Sequence, residues 1–226
     1  MRVFNFDFLI LQIFGRKLLV TPIRWGLIVY MAAISHLSSA KTTADLSELI
    51  QNPHFDVLRI AEKASIPSSK KIYVSPVEAN FSRSWEREFK GVTTKAYRKR
   101  VIRDYSQALE ERIKQQLKTS GWQVFESPEE GILMLSAKIT DLYIYGPQKL
   151  SREHTLVKQI GQSSLDLVLQ GTDSLTILEI QDIGIAGGIG NHFIETDNAI
   201  NFSRFDRLMQ AWATHFVSYA DMLIKV

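Results

Sequence analysis

The most regular pattern of hydrophobic and polar positions predicts a long helix between Thr94 and Gly121. Its apolar residues recur at every fourth position: Tyr97, Val101, Tyr105, Leu109, Ile113 and Leu117. This spacing places them in one stripe along an α-helix. Thr93 or Thr94 can cap the N-terminus, and Gly121 stands where a C-terminal cap is expected.

A second amphipathic helix is predicted near the end of the chain, in "FSRFDRLMQAWATHFVSYADMLIKV". Ser203 and Asp206 have the spacing of a capping box, so we expect the helix to start there. Its apolar stripe consists of Phe205, Leu208, Met209, Trp212, Phe216, Tyr219 and Leu223.

Runs of alternating residues predict the strands. In "KIYVSPVEANF", Ile72 and Val74 face one side, and Pro76 restricts the strand to a sheet edge, a bulge or a strand end. Two pairs of runs flank turn sequences and predict hairpins. "WQVFES" and "GILMLSAKITDLYIYGP" flank "PEEG", whereas "SSLDLVLQ" and "SLTILEIQDIGI" flank "GTD".

The order strand, helix, four strands, helix predicts an α+β fold. We expect a two-layer sandwich, in which a mainly antiparallel sheet is covered on one face by two long helices. We expect residues 71–226 to form this single domain. Residues 41–70 are expected to hold short helical stretches, interrupted by Pro53, and a linker.

Residues 1–40 have the layout of a secretory signal peptide. Three basic residues precede the apolar run "WGLIVYMAAI", and the small residues Ser38 and Ala40 follow it. We expect cleavage between Ala40 and Lys41 and a periplasmic location. The alternative is an uncleaved inner-membrane anchor, although the strongly apolar part of the uncharged run from Trp25 to Ala40 is about 13 residues, shorter than the roughly 20 that span a bilayer.

Removal of this leader changes the charge balance. The whole chain has 27 Lys and Arg and 24 Asp and Glu, a net charge of +3. Residues 1–40 hold four of the basic residues and one acidic residue, so 23 of each remain. A neutral mature chain gives no support to nucleic-acid binding, and after leader removal we expect no membrane span. The chain has no cysteine, so its core alone must stabilise it.

Several segments together resemble a family of small exported proteins of Gram-negative envelopes, many of them lipoproteins, with no assigned function. They are "YVSPVEANF", "AYRKRVIRDYSQALEERIKQQLKTSGWQVFE", "LMLSAKITDLYIYGP", "GQSSLDLVLQGTDS" and "NFSRFDRLMQAWATHF". The resemblance covers about residues 71–220 and implies a cell-envelope location. Because this chain lacks the lipobox cysteine, a soluble periplasmic protein is expected.

The glycine-rich stretch "GIAGGIGNHF" begins at Gly184 and does not match a phosphate-binding motif. A P-loop needs G-x-x-x-x-G-K-S/T, and a dinucleotide fingerprint needs G-x-G-x-x-G before a helix. We therefore interpret it as a flexible, partly apolar loop that contacts a partner. The candidate contact residues are Ile185, Gly187, Gly188, Ile189, Gly190 and His192.

The remaining candidate chemistry is weak. His192 with Glu195 and Asp197 is the one cluster of metal-ligand types, but three loop residues without a fourth partner are usually solvated. Ser203, Asp206 and His215 would all lie along one helix, where cap and surface roles suit them better than a catalytic triad. We assign no catalytic, cofactor-binding or metal-binding residue and expect no cofactor.

Adjacent carboxylates and a basic run complete the candidates. Glu110 with Glu111, and Glu129 with Glu130, do not face one another across a substrate as glycosidase carboxylates do. The basic run after Thr94 is interpreted as a solvated helix face, with an anionic partner as the alternative. It consists of Lys95, Arg98, Lys99, Arg100 and Arg103.

Two functional hypotheses remain. The first is a non-enzymatic envelope protein that binds a protein or glycolipid partner. The second is a periplasmic hydrolase whose site is assembled from scattered Asp, Glu and His. A pocket with His192 or His154 and two carboxylates would favour the hydrolase, and an exposed apolar surface would favour the binding protein.

Overall fold

A computed structural model describes residues 48–49, 54–62, 65–146, 155–157, 159–187 and 194–224. The elements in chain order are β1 (Glu48–Leu49), β2 (Val57–Ile60), β3 (Lys71–Val74), β4 (Glu78–Phe81), α1 (Arg83–Phe89), α2 (Lys95–Thr119), β5 (Gln123–Phe125), β6 (Leu133–Ile144), β7 (Thr155–Val157), β8 (Gln159–Gln170), β9 (Thr176–Gly187), β10 (Ile194–Thr196) and α3 (Asn198–Met222).

Eight strands form one sheet in the order β1-β2-β9-β8-β6-β3-β5, and β4 also pairs with β6. The neighbouring pairs β1–β2, β2–β9, β9–β8 and β8–β6 are antiparallel. The pairs β6–β3, β3–β5 and β4–β6 are parallel. The long helices α2 and α3 contact each other and the sheet. The predicted α+β fold, with both long helices on one sheet face, is confirmed. The opposite face is called the open face below.

Helix α2 forms as its sequence pattern predicts. The Thr94 hydroxyl accepts a hydrogen bond from the Tyr97 backbone N–H at 3.0 Å, which caps the first turn. The entire predicted stripe from Tyr97 to Leu117 is buried. Gly121 has a φ of +81°, the left-handed conformation that ends a helix and favours glycine.

The two predicted hairpins have different outcomes. Strands β8 and β9 do form a hairpin, in which Leu169 lies opposite Leu178. The hairpin predicted around "PEEG" is wrong, because β3 lies between β5 and β6. Ile72 pairs with both Val124 and Leu133, and all three strands run in parallel. The seven residues between β5 and β6 bring the chain back to the end of the sheet where β5 begins, so that β6 runs in the same direction as β5. A hairpin turn would reverse the chain direction instead.

The helical expectation for residues 41–70 is wrong in the part that the structure describes. Residues 57–60 form β2, which pairs antiparallel with β9 and so joins the sheet. Residues 48–49 form the short strand β1 beside it. The extended conformation follows from long-range pairing, because Leu58 is fully buried opposite Ile180. Pro53 lies outside the described residues.

Helix α3 begins earlier than its sequence predicts. Its N-cap is Asp197, whose carboxylate accepts the backbone N–H of Ile200 at 2.7 Å. Ser203 and Asp206 therefore lie inside the helix and do not form a capping box. The predicted stripe still faces the core, and Phe205, Met209, Trp212 and Phe216 are at most 2% exposed.

A β-bulge in β6 reverses which residues face the core. The register against β8 shifts between Thr140 and Tyr143, and Asp141 there has a φ of +51°. Because of this shift, odd-numbered side chains are buried before the bulge and even-numbered ones after it. They are Leu133, Leu135, Ala137 and Ile139, then Leu142 and Ile144.

Candidate functional site

The glycine-rich stretch starts inside a strand, so its interpretation as a loop is wrong up to Gly187. Strand β9 continues through Gly187 and pairs with β8 to its end. At Gly184 a Cβ atom would lie 2.5 Å from side-chain atoms of both Leu208 and Trp212. Glycine is needed there because α3 packs directly on the backbone of β9.

Two isoleucines of β9 stand on the open face. Ile183 is 63% exposed and Ile185 is 61% exposed. They are two residues apart on one strand and so lie side by side. Ile185 is opposite Gln162 of β8, and Ile183 is opposite Ser164. We call this pair of exposed side chains the isoleucine surface.

Only part of the predicted contact loop can be located. Ile185 and Gly187 belong to β9, whereas Gly188, Ile189, Gly190 and His192 lie outside the described residues. The predicted cleavage site, Ala40 and Lys41, also lies outside them, as does His154. The structure places Ile185 on β9 as an exposed apolar side chain, and the contact role of all six residues stays a prediction.

Acidic residues border the isoleucine surface. A depression of about 300 Å³ lies beside Ile183, where β2 leaves the edge of β9. Its lining includes four aspartates from four different segments of the chain, namely Asp56, Asp141, Asp166 and Asp182. Among the described residues, none of the four takes part in an ion pair. The depression therefore carries negative charge next to exposed apolar side chains.

Asp182 connects this depression to the helix layer. Its Oδ2 accepts a hydrogen bond from Trp212 Nε1 at 2.6 Å, and its Oδ1 accepts the backbone N–H of Asp56 at 3.2 Å. In return, the Asp56 carboxylate accepts the backbone N–H of Ile183 at 2.9 Å. Burial raises the pKa of Asp182, and these donors oppose the shift. The Asp182 carboxylate thus links β9 to α3 and to the start of β2.

Two histidines stack at the same corner of the fold. The rings of His54 and His215 are 4.0 Å apart and nearly parallel. His215 is half-buried. Burial, and then the nearby His54 ring, lower the pKa of His215. The His215 ring therefore has a packing role.

Ser203, Asp206 and His215 do not form a catalytic triad. The Arg112 guanidinium donates to both carboxylate oxygens of Asp206, at 2.9 and 2.7 Å, and joins α2 to α3. Ser203 is exposed on α3, and His215 stacks on His54. In the candidate metal cluster, Asp197 caps α3, and His192 lies outside the described residues. The described residues contain no group of three or more His, Asp or Glu that could hold a metal ion.

Glu110 of the adjacent carboxylates and Arg98 of the basic run have structural contacts. Glu110 pairs with Lys114 at 2.9 Å. Arg98 donates to the carbonyl oxygens of Lys90 and Thr93, which closes the turn between α1 and α2. None of the helices within the described residues is long and apolar enough to cross a membrane.

The sequence contains a signal for the isoleucine surface that hairpin prediction alone does not reveal. In "TILEIQDIGIAG" the odd positions from 179 to 185 are Glu179, Gln181, Ile183 and Ile185. A strand face that changes from two polar to two apolar residues indicates an exposed apolar pair. The Asp182–Trp212 contact has no comparable signal, because the two residues belong to separate elements.

Comparisons with solved structures found similarities at low sequence identity. No protein-family model and no curated relative matches the chain. The PelC dodecamer from Paraburkholderia phytofirmans is similar with a TM-score of 0.36 and 7% identity, over 68% of this chain and 95% of that chain. A neuraminyllactose-binding hemagglutinin homolog from Helicobacter pylori has a TM-score of 0.32 and 12% identity, over 73% and 90% of the two chains. No functional conclusion follows from similarities at this level.

Proposed function

We propose that this chain is an exported envelope protein that binds a protein partner through the isoleucine surface. The observation that carries the proposal is the exposure of Ile183 and Ile185, both above 60%, on a sheet face opposite the helices. Single exposed apolar residues are common on soluble proteins, but an adjacent pair on a strand forms a continuous apolar contact.

Charge around the surface defines the partner's chemistry. The aspartates at positions 56, 141 and 166 line the depression beside Ile183. A partner segment that places apolar side chains on the isoleucines would bring basic side chains over these carboxylates. Opposite charges at the rim of an interface mainly raise the association rate and select the partner. The partner is therefore a protein segment that carries both apolar and basic residues.

Export is the second part of the proposal. It is supported by the signal-peptide layout of residues 1–40 and by the resemblance to exported Gram-negative proteins. Mass spectrometry of the chain recovered from cells tests it directly, because cleavage leaves Lys41 as the first residue. Recovery of a chain that retains residues 1–40 would contradict cleavage.

Site-specific photo-crosslinking in cells tests the binding surface. A photoreactive residue at position 185 should form a covalent adduct with a partner, whereas one at position 222 should not. Met222 is a suitable control because it is 65% exposed and lies at the end of α3. Equal adducts from both positions, or none from position 185, would reject the isoleucine surface.

A matched pair of variants adds an energetic test. With the photoreactive residue at Gln162, the double change Ile183→Ser and Ile185→Ser should lower the adduct yield about tenfold, as expected for a loss of about 1.4 kcal/mol. Met222→Ser should leave the yield unchanged. All three replaced side chains are exposed, so the thermal unfolding of each variant should match the parent chain.

A further inference from the structure

A separate pocket of about 380 Å³ lies between the N-terminal halves of α2 and α3. It is distinct from the isoleucine surface and shares none of its lining residues. Pockets of roughly 300–1,000 Å³ with a mostly apolar lining and a few polar groups are typical of small-molecule sites. The volume of this pocket falls within that range.

The floor of the pocket is apolar and partly aromatic. Val101 and Tyr105 of α2 and Ile144 of β6 are at most 7% exposed and form its base. The rings of Tyr105 and Phe202 meet edge to face, with centroids 5.5 Å apart. Such a floor suits an apolar chain or ring, which gains from leaving water.

The rim carries a cation with no acidic partner. The Arg100 guanidinium lies 5.7 Å from the centre of the Tyr97 ring, and no ion pair of the described residues includes Arg100. Asp104 is the one acidic residue of the lining, and Arg103 binds it at 2.9 and 2.7 Å. Its charge is therefore balanced, and Arg100 gives the rim a positive potential.

A buried amide in the lining also lacks a partner. Asn201 is 1% exposed, and its Oδ1 accepts a hydrogen bond from the Thr196 hydroxyl. Its Nδ2 is buried and donates to no group of the described chain. Buried donors are nearly always satisfied in folded proteins, so this amide is an exception that lies in the wall of the pocket.

We infer that this pocket binds an amphiphilic oxyanion. The apolar part of the ligand lies on the floor, and its carboxylate or phosphate faces Arg100. Charge-assisted hydrogen bonds from arginine to carboxylate or phosphate are among the strongest that a protein offers. Carboxylate and phosphate amphiphiles share this chemistry, and the experiment separates them.

Calorimetric titration of the full chain with three eight-carbon probes tests the inference. Octanoate and octyl phosphate should each saturate one site, and the neutral 1-octanol should bind at least tenfold more weakly. The tighter of the two anions identifies a carboxylate or a phosphate ligand. The absence of saturable binding, or equal affinity for 1-octanol, would overturn the inference.

Variants on neighbouring positions of α2 locate the site. Arg100→Gln should weaken octanoate binding about tenfold, whereas Lys99→Gln makes the same charge change outside the lining and should alter the affinity less than twofold. Both side chains are exposed, so folding should be unaffected. Ile185→Ser should also leave octanoate binding intact, which separates this pocket from the isoleucine surface. Equal losses in the Arg100 and Lys99 variants would reject the pocket as the site.

Discussion

The indole Nε1 of Trp212 donates a hydrogen bond to Oδ2 of Asp182 at 2.6 Å, and this contact joins α3 to β9. Trp212 is 2% exposed. Trp212→Phe should lower the free energy of unfolding by about 1.5–3 kcal/mol, because the half-buried carboxylate loses its side-chain donor. Urea denaturation measures the change.

Trp122→Phe is the matched control for that variant. Trp122 is 3% exposed and donates to Asp221 at 2.9 Å, but the Lys70 ammonium also donates to this carboxylate at 3.0 Å. Asp221 thus keeps a charged partner, and the loss of stability should be smaller. A larger loss for the Trp122 variant would show that the indole donor is not what stabilises Asp182.

The stacked histidines make stability depend on pH. The folded pKa of His215 lies below its ordinary value of 6.5. As the pH falls, the unfolded chain therefore takes up a proton at this residue before the folded chain does. The contribution of His215 to stability is present above its unfolded pKa and is lost as the pH falls through its folded pKa. The free energy of unfolding should decrease between about pH 7 and the folded pKa of this imidazole.

His215→Gln should flatten that decrease, as measured by denaturation at a series of pH values. Asp182, whose folded pKa is raised, acts with the opposite sign: its contribution is present below its unfolded pKa and is lost as the pH rises. The difference between the parent and variant curves isolates the imidazole. Curves that remain parallel at all pH values would contradict a lowered pKa of His215.

Gly184 should tolerate no side chain. Gly184→Ala would place a Cβ 2.5 Å from Leu208 and Trp212 and should cost about 1–3 kcal/mol through overpacking. At Gly187, three residues further along β9, the nearest atom to a new Cβ is 3.6 Å away. Gly187→Ala should therefore be neutral or slightly stabilising. Thermal unfolding of the two variants compares them, and equal shifts would refute the close packing of α3 on β9.

The start of α3 can be tested by removing each candidate cap. Asp197→Ala should cost about 0.5–2 kcal/mol, because the Ile200 backbone N–H loses its acceptor. Ser203→Ala should change stability by less than about 0.5 kcal/mol, since Ser203 is exposed within the helix. The reverse ranking in denaturant unfolding would place the start of the helix at Ser203.

The sequence alone determined the elements whose signals are local. The Thr94 cap, the stripe from Tyr97 to Leu117 and the turn at Gly121 lie within one helix, and the structure has all three. The β8–β9 hairpin is equally local, because a short turn connects strands of matching alternation. These elements, with a second amphipathic helix, are enough to indicate the α+β class.

Only the tertiary structure decided which distant segments meet. The insertion of β3 between β5 and β6, and the pairing of β2 with β9, depend on contacts between residues far apart in sequence. The alternation along β9 indicates that Ile183 and Ile185 share one strand face, but only the position of α3 shows that the helices cover the other face. Arg100 and Asn201 meet at one pocket for the same reason. Pairing and burial are properties of the whole packed chain, whereas turns and helix periodicity are properties of a few neighbouring residues.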